Sequence, residues 1–186
     1  MRVMPFLAGF GLVAALAAPA SAAQYRLAEL YDRVCVRTDV KTDAIVAAAL
    51  KEGFTEQPAQ PEPEMETVRL FMATADDGGR WLIMTSTGSA LSHSRKIVQG
   101  MVACNVIGPD PGDAGLATIR RQIGKADFGD EQTFAFTREG GSVRPFDQSD
   151  VEAETRALKG AGYYTLSSYT IGGGRLFTLI HVIERK

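Results

Sequence analysis

Thr67-Val68-Arg69-Leu70-Phe71-Met72, then the turn Asp76-Asp77-Gly78-Gly79, then Trp81-Leu82-Ile83-Met84: the reading of this stretch decides the fold. Val68, Leu70 and Met72 alternate with Thr67, Arg69 and Phe71, which is the period of a strand. Asp and Gly tolerate the positive φ values of a tight turn, so the segment reads as a β-hairpin. Two further hairpins follow the same logic. Thr133 to Thr137 and Ser142 to Phe146 flank Glu139-Gly140-Gly141, and Tyr163 to Ile171 and Leu176 to Ile183 flank Gly172-Gly173-Gly174. Ile97 to Ile107 reads as a strand of its own, and Val34-Cys35-Val36 as a short strand-like run. The last strand is apolar on both faces, which places it centrally in a sheet.

Helical signals stand between these strands. Thr38 or Asp39 caps a first helix that runs through Leu50 and stops at Gly53, with Phe54 at the position of a C-terminal hydrophobic contact. Asp110, Pro111 and Asp113 open a second helix, with Leu116, Ile119 and Ile123 on one face and Gly124 at its end. Ser149 and Glu152 have capping-box spacing for a third, which ends at Gly160. Glu56 to Glu64 is polar and proline-rich and reads as a surface loop. The expectation is an α+β domain: mainly an antiparallel sheet built from hairpins, with about three short helices packed on one face.

The N-terminus sets the compartment. After Met1-Arg2 no charge appears until Arg26; Val3 to Ala18 is apolar, and Pro19-Ala20-Ser21-Ala22-Ala23 follows. Basic start, apolar core and small residues are the order of a secretory signal peptide, residues 1–22, cleaved near Ala22 or Ala23. An uncleaved anchor is the rival reading, but much of the run is Ala and Gly, weak in transfer free energy. Residues 23–186 then form a single domain, long enough for a real core. A periplasmic or secreted location is expected, with no stable membrane insertion after cleavage.

The chain is 45% hydrophobic and 23% charged, an ordinary globular balance, and its formal charge is −2. Losing Arg2 with the signal leaves the domain slightly more acidic, so no global field draws in nucleic acid. Two cysteines, Cys35 and Cys104, make an even count in an oxidising compartment and are expected to form a disulfide. On the chain-entropy estimate a bridge closing a loop of this size stabilises by up to about 4 kcal/mol.

Residues able to carry chemistry are few. His181 shares strand parity with Phe177, Leu179 and Ile183 and reads as a core or rim histidine. His93 lies in Ser92-His93-Ser94-Arg95-Lys96, where hydroxyls and cations are gathered in one connection; these five residues form a possible anion-binding loop, against the plainer reading of a solvated loop. Ser92 and Ser94 adjoin His93, but no Gly-x-Ser-x-Gly elbow occurs, and no phosphate loop or EF-hand pattern is present. No catalytic residue, metal site or cofactor is therefore assigned. Trp81, Tyr163 and Tyr169 would mark a binding face if exposed together; otherwise they pack the core. The expected function is a non-enzymatic binding or accessory module of the cell envelope, whose partner is an envelope protein or a small anionic ligand. A small exported hydrolase using His93 or His181 is the alternative, and an inhibitor or accessory subunit acting through the hairpin tip Asp76 to Gly79 is the third reading.

Overall fold

The computed structural model describes residues 27–60, 65–74, 78–109, 117–119, 121, 133–145, 147–171 and 174–185. The expected signal segment, residues 1–22, Asp76 and Asp77 of the hairpin tip, and most of the second expected helix lie outside them. Within the described residues the chain forms α1 (Leu27–Tyr31), α2 (Thr42–Lys51), β1 (Thr55–Gln57), β2 (Met65–Thr74), β3 (Arg80–Leu91) and β4 (Val98–Pro109). After Ala117–Ile119 and Arg121, which are helical, come β5 (Thr133–Glu139), β6 (Ser142–Pro145), α3 (Val151–Lys159), β7 (Tyr163–Ile171) and β8 (Gly174–Glu184). The class is α+β. The strands make one antiparallel sheet in the order β1-β2-β3-β4-β8-β7-β5-β6, larger than a set of separate hairpins.

The three expected hairpins are all present, β2–β3, β5–β6 and β7–β8, and Ile97 to Ile107 falls largely within β4. Gly140 and Gly141 have φ of +55° and +84°, so the β5–β6 turn uses the left-handed backbone that its glycines allow. β8 sits between β4 and β7, central as its two apolar faces require.

Five expectations need correction. Val34-Cys35-Val36 is not a strand: α1 continues directly into a π-helical turn, Asp32–Val36. Leu27, Leu30, Tyr31 and Val34 recur at helical spacing and are all buried, and that period outweighs the strand preference of the two valines. The first expected helix begins at Thr42 rather than Thr38 or Asp39. The Thr38 hydroxyl instead donates to the carbonyls of Val34 and Cys35, closing the preceding helix, and Asp39 and Val40 take φ of +53° and +55° to reverse the chain. Glu56 and Gln57, the start of the expected proline-rich loop, belong to β1, which pairs with β2 as an edge strand, and Glu56 binds Arg69 across the pair. The helices occupy both faces of the sheet, not one.

α1 and α2 cover one face. Phe71, Trp81, Ile83, Val106, Phe177, Leu179 and Phe136 pack there beneath Leu30, Tyr31, Val34 and Ile45. Each such side chain contributes about 1.5–3 kcal/mol of hydrophobic stabilisation. Cys35 and Cys104 form a disulfide within this core, tying the π-helical turn to β4. Gly108 lies directly under Trp81: a Cβ there would meet the indole at 2.4 Å, so only glycine lets the ring lie flat on β4. α3 packs on the opposite face, where Leu158, Tyr163 and Val182 form a smaller cluster with Met101 and Ile180. Its N-cap is Asp150, not Ser149; the Asp150 carboxylate accepts from the N–H groups of Glu152 and Ala153 at 3.0 Å each.

Candidate functional site

Three groupings stand out, and the first surrounds His93. The β3–β4 connection, residues 92–97, folds back on itself: the Ser92 hydroxyl accepts from the Ile97 N–H and bonds the Ser94 hydroxyl, and the Arg95 N–H donates to the Ser92 carbonyl. Arg95 takes a φ of +54° to close the turn. This folding delivers His93 to α3. Its backbone N–H donates to Glu154 Oε2 at 2.9 Å, and its ring Nδ1 pairs with Glu154 Oε1 at 2.9 Å. Gln99 Nε2 donates to the same Oε1 at 2.7 Å, and the Tyr163 hydroxyl reaches it at 3.4 Å.

Glu154 is 1% exposed at its side chain whereas the His93 ring is 55% exposed, so a buried carboxylate holds an open imidazole by one edge. A carboxylate can be buried so deeply only when donors surround it, and here four do. Burial, and secondarily the Glu154 charge, push the Tyr163 hydroxyl up to about 12, which keeps it a donor.

Of the five loop residues Ser92, His93, Ser94, Arg95 and Lys96, His93 alone meets this carboxylate, which the chain itself supplies. Lys96 N–H is turned toward the Ser94 hydroxyl at 3.4 Å, and the His93 N–H is engaged by Glu154. The Arg95 and Lys96 side chains are exposed, with no ion pair among the described residues. Neither Glu154 nor Gln99 was singled out by the sequence reading. The available signal was a carboxylate four residues before Leu158, on the buried stripe of an amphipathic helix.

The second grouping lies on the opposite face. Tyr164 donates to Asp39 Oδ1 at 2.6 Å, and Arg138 Nη1 lies 3.3 Å from the same oxygen. Across the strands His181 stacks on Tyr164, centroids 4.3 Å apart and planes 5° from parallel; Tyr164 in turn stacks on Phe136, and Arg138 covers both rings. Burial first, and the Asp39 hydrogen bond second, raise the Tyr164 hydroxyl well above its ordinary range. His181 Nε2 lies 3.0 Å from the Ala161 carbonyl. The strained Asp39-Val40 reversal is thereby clamped to the sheet.

His93 and His181 therefore stand on different faces and do not share a pocket. Trp81 and Tyr163 are buried on opposite faces, and Tyr169 is 43% exposed, so the three aromatics do not form one surface. No group of three or more His, Cys, Asp or Glu suited to a metal occurs among the described residues.

The third grouping is an apolar row on the α3 side of the sheet. Cross-strand register aligns Met72, Leu82, Ile107, Leu176 and Tyr169 side by side on five adjacent strands. Four of them are partly exposed and Tyr169 is open. Met84 and Leu70 continue the row inward toward Asn105, whose side-chain Oδ1 accepts from the Thr178 hydroxyl. Five strands at about 4.8 Å spacing make it roughly 19 Å long. No family model, curated protein or solved structure matches the chain.

Proposed function

We propose that the chain is an exported, non-enzymatic binding module that engages an envelope protein through the apolar row Met72, Leu82, Ile107, Leu176 and Tyr169. The row is the observation that carries the reading. It combines aliphatic residues, a methionine and an aromatic without a charge, which is the composition of an interface core. An envelope address is supported by the signal-like N-terminus and by the Cys35–Cys104 disulfide. Among the described residues no helix is long and apolar enough to cross a membrane. The test is affinity capture from the periplasmic fraction with wild type and with Ile107→Asp, followed by binding of the purified partner to both. A partner bound by wild type and lost by Ile107→Asp, with unchanged circular dichroism, supports the reading. Equal binding by both proteins sinks it.

The hydrolase reading has one observation in its favour. Glu154 holds His93 by Nδ1, as an orienting carboxylate holds a general base, and leaves Nε2 outward. Among the described residues no serine, threonine or cysteine bonds that Nε2. Ester, peptide and glycan substrates assayed against wild type, His93→Ala and His181→Ala decide it: equal background rates in all three reject an enzyme. Action through the hairpin tip Asp76 to Gly79 is the remaining alternative.

A further inference from the structure

The opposite end of the sheet carries a second surface of different chemistry. Leu91 and Val98 are cross-strand partners at the base of the β3–β4 connection, and Ile183 pairs with Gly100, diagonal to Val98. All three side chains project from the helix-covered face beyond the buried core, and they are 59%, 45% and 40% exposed. Gly100 leaves room between them: a Cβ there would meet Ile183 Cγ1 at 3.6 Å. Arg95 and Lys96, both exposed, stand in the short connection that joins Leu91 to Val98. Among the described residues the nearby carboxylates are engaged, Glu66 on Arg185 and Glu154 on His93 and Gln99, while Glu184 projects from the other face.

We propose that Leu91, Val98, Ile183, Arg95 and Lys96 form a docking surface for an anionic phospholipid bilayer. Exposed aliphatic chains beside unpaired cations are the chemistry of an interfacial anchor, with the apolar chains entering the headgroup boundary and the cations meeting the phosphates. A discrete phosphate site would need converging donors. Here the His93 N–H is committed to Glu154, those of Lys96 and Ile97 face serine hydroxyls, and that of Arg95 donates to the Ser92 carbonyl. What remains is two exposed cations and an aliphatic patch, which suits an extended charged surface rather than one ion. The patch lies about 30 Å along β3 from Leu82, so a bilayer and a protein partner would meet opposite ends of the sheet.

The test is co-sedimentation of the oxidised exported form, starting at Ala23 or Gln24 so that the leader does not itself partition. The vesicles are phosphatidylcholine alone and phosphatidylcholine with phosphatidylglycerol. Binding is expected only to the second, and it should weaken as salt rises. Removing each cation, by Arg95→Ala or Lys96→Ala, should lower partitioning about fivefold. Leu91→Ser with Val98→Ser should lower it on the order of tenfold, and Leu50→Ser, an exposed site on α2, should leave it unchanged. No binding, equal binding to both vesicles, or indifference to the patch substitutions overturns the proposal. So does full competition by inorganic phosphate at matched ionic strength, which would mark a discrete anion site. The salt series on wild type tests the electrostatic component without relying on any variant to fold.

Discussion

The two faces of the sheet are made by alternate residues of the same strands, yet they are finished in different ways. On one, Phe71, Trp81 and Ile83 lie beneath α1 and α2 and are almost wholly buried. On the other, their immediate neighbours Met72, Leu82 and Met84 are partly open, and among the described residues α3 covers the far end, over Tyr163 and Val182. Apolar character is nearly the same on both sides. What differs is which side the helical connections return to, and that follows from chain topology rather than from local alternation.

The contrast can be broken most directly at Phe71 and Met72. Phe71→Ala should cost about 3–5 kcal/mol in urea unfolding, whereas Met72→Ala should cost under about 1 kcal/mol, because its partly exposed site leaves little cavity. Similar losses at the two positions would mean that both faces are equally covered. Replacing both cysteines by serine should cost up to about 4 kcal/mol, since the bridge constrains the unfolded chain. Hydrogen exchange should then accelerate in α1 and the π-helical turn more than in α3, which the bridge does not hold.

Glu154→Leu tests the other face. It strands the Gln99 amide and the His93 N–H, so a loss of about 1–3 kcal/mol is expected, with faster exchange in residues 92–97. An unchanged loop would show that the carboxylate is not its tether. Alkaline pH separates the faces further. Tyrosine titrates near 10 when unfolded, and Tyr163 is pushed up to about 12 in the fold, with Tyr164 and Tyr31 also raised by burial. The folded state thus retains protons that the unfolded state has lost. Stability should be fully present below about pH 10 and should fall as pH rises through about 12. Tyr163→Phe should flatten part of that slope, read from denaturation midpoints across the range; an unaltered slope would assign it to the tyrosines of the helix-covered face. The smallest effect belongs to the row itself: Leu176→Ser should change stability by under about 1 kcal/mol while abolishing partner binding.

The strands were readable because alternation and glycine turns are local. Central placement of β8 was readable too, since a strand apolar on both faces has few other places to go. Val34-Cys35-Val36 misled because three residues cannot report a period; Leu27, Leu30 and Tyr31, three to seven positions before Val34, carry the helical spacing. β1 was hidden since its partner is β2, across the proline-rich segment, and nothing in Thr55-Glu56-Gln57 announces that pairing. The Cys35–Cys104 bridge was legible from compartment and count. Glu154 was not, because its importance comes from His93 and Gln99, more than fifty residues away in the chain. Ser92 to Lys96 was legible as a cluster of hydroxyls and cations, but the tie from His93 to Glu154 on α3 was not.

The sheet ends in two very short strands, β1 with three residues and β6 with four, and β6 finishes at Pro145. Beyond β1, the free margin of β2 is interrupted by a bulge between Met65 and Thr67. Such margins are poor templates for another backbone. Recognition by strand addition is thereby disfavoured, and growth into fibres with it. Whatever the protein meets must be read through side chains on a surface, which makes single substitutions there an unusually direct probe of its associations.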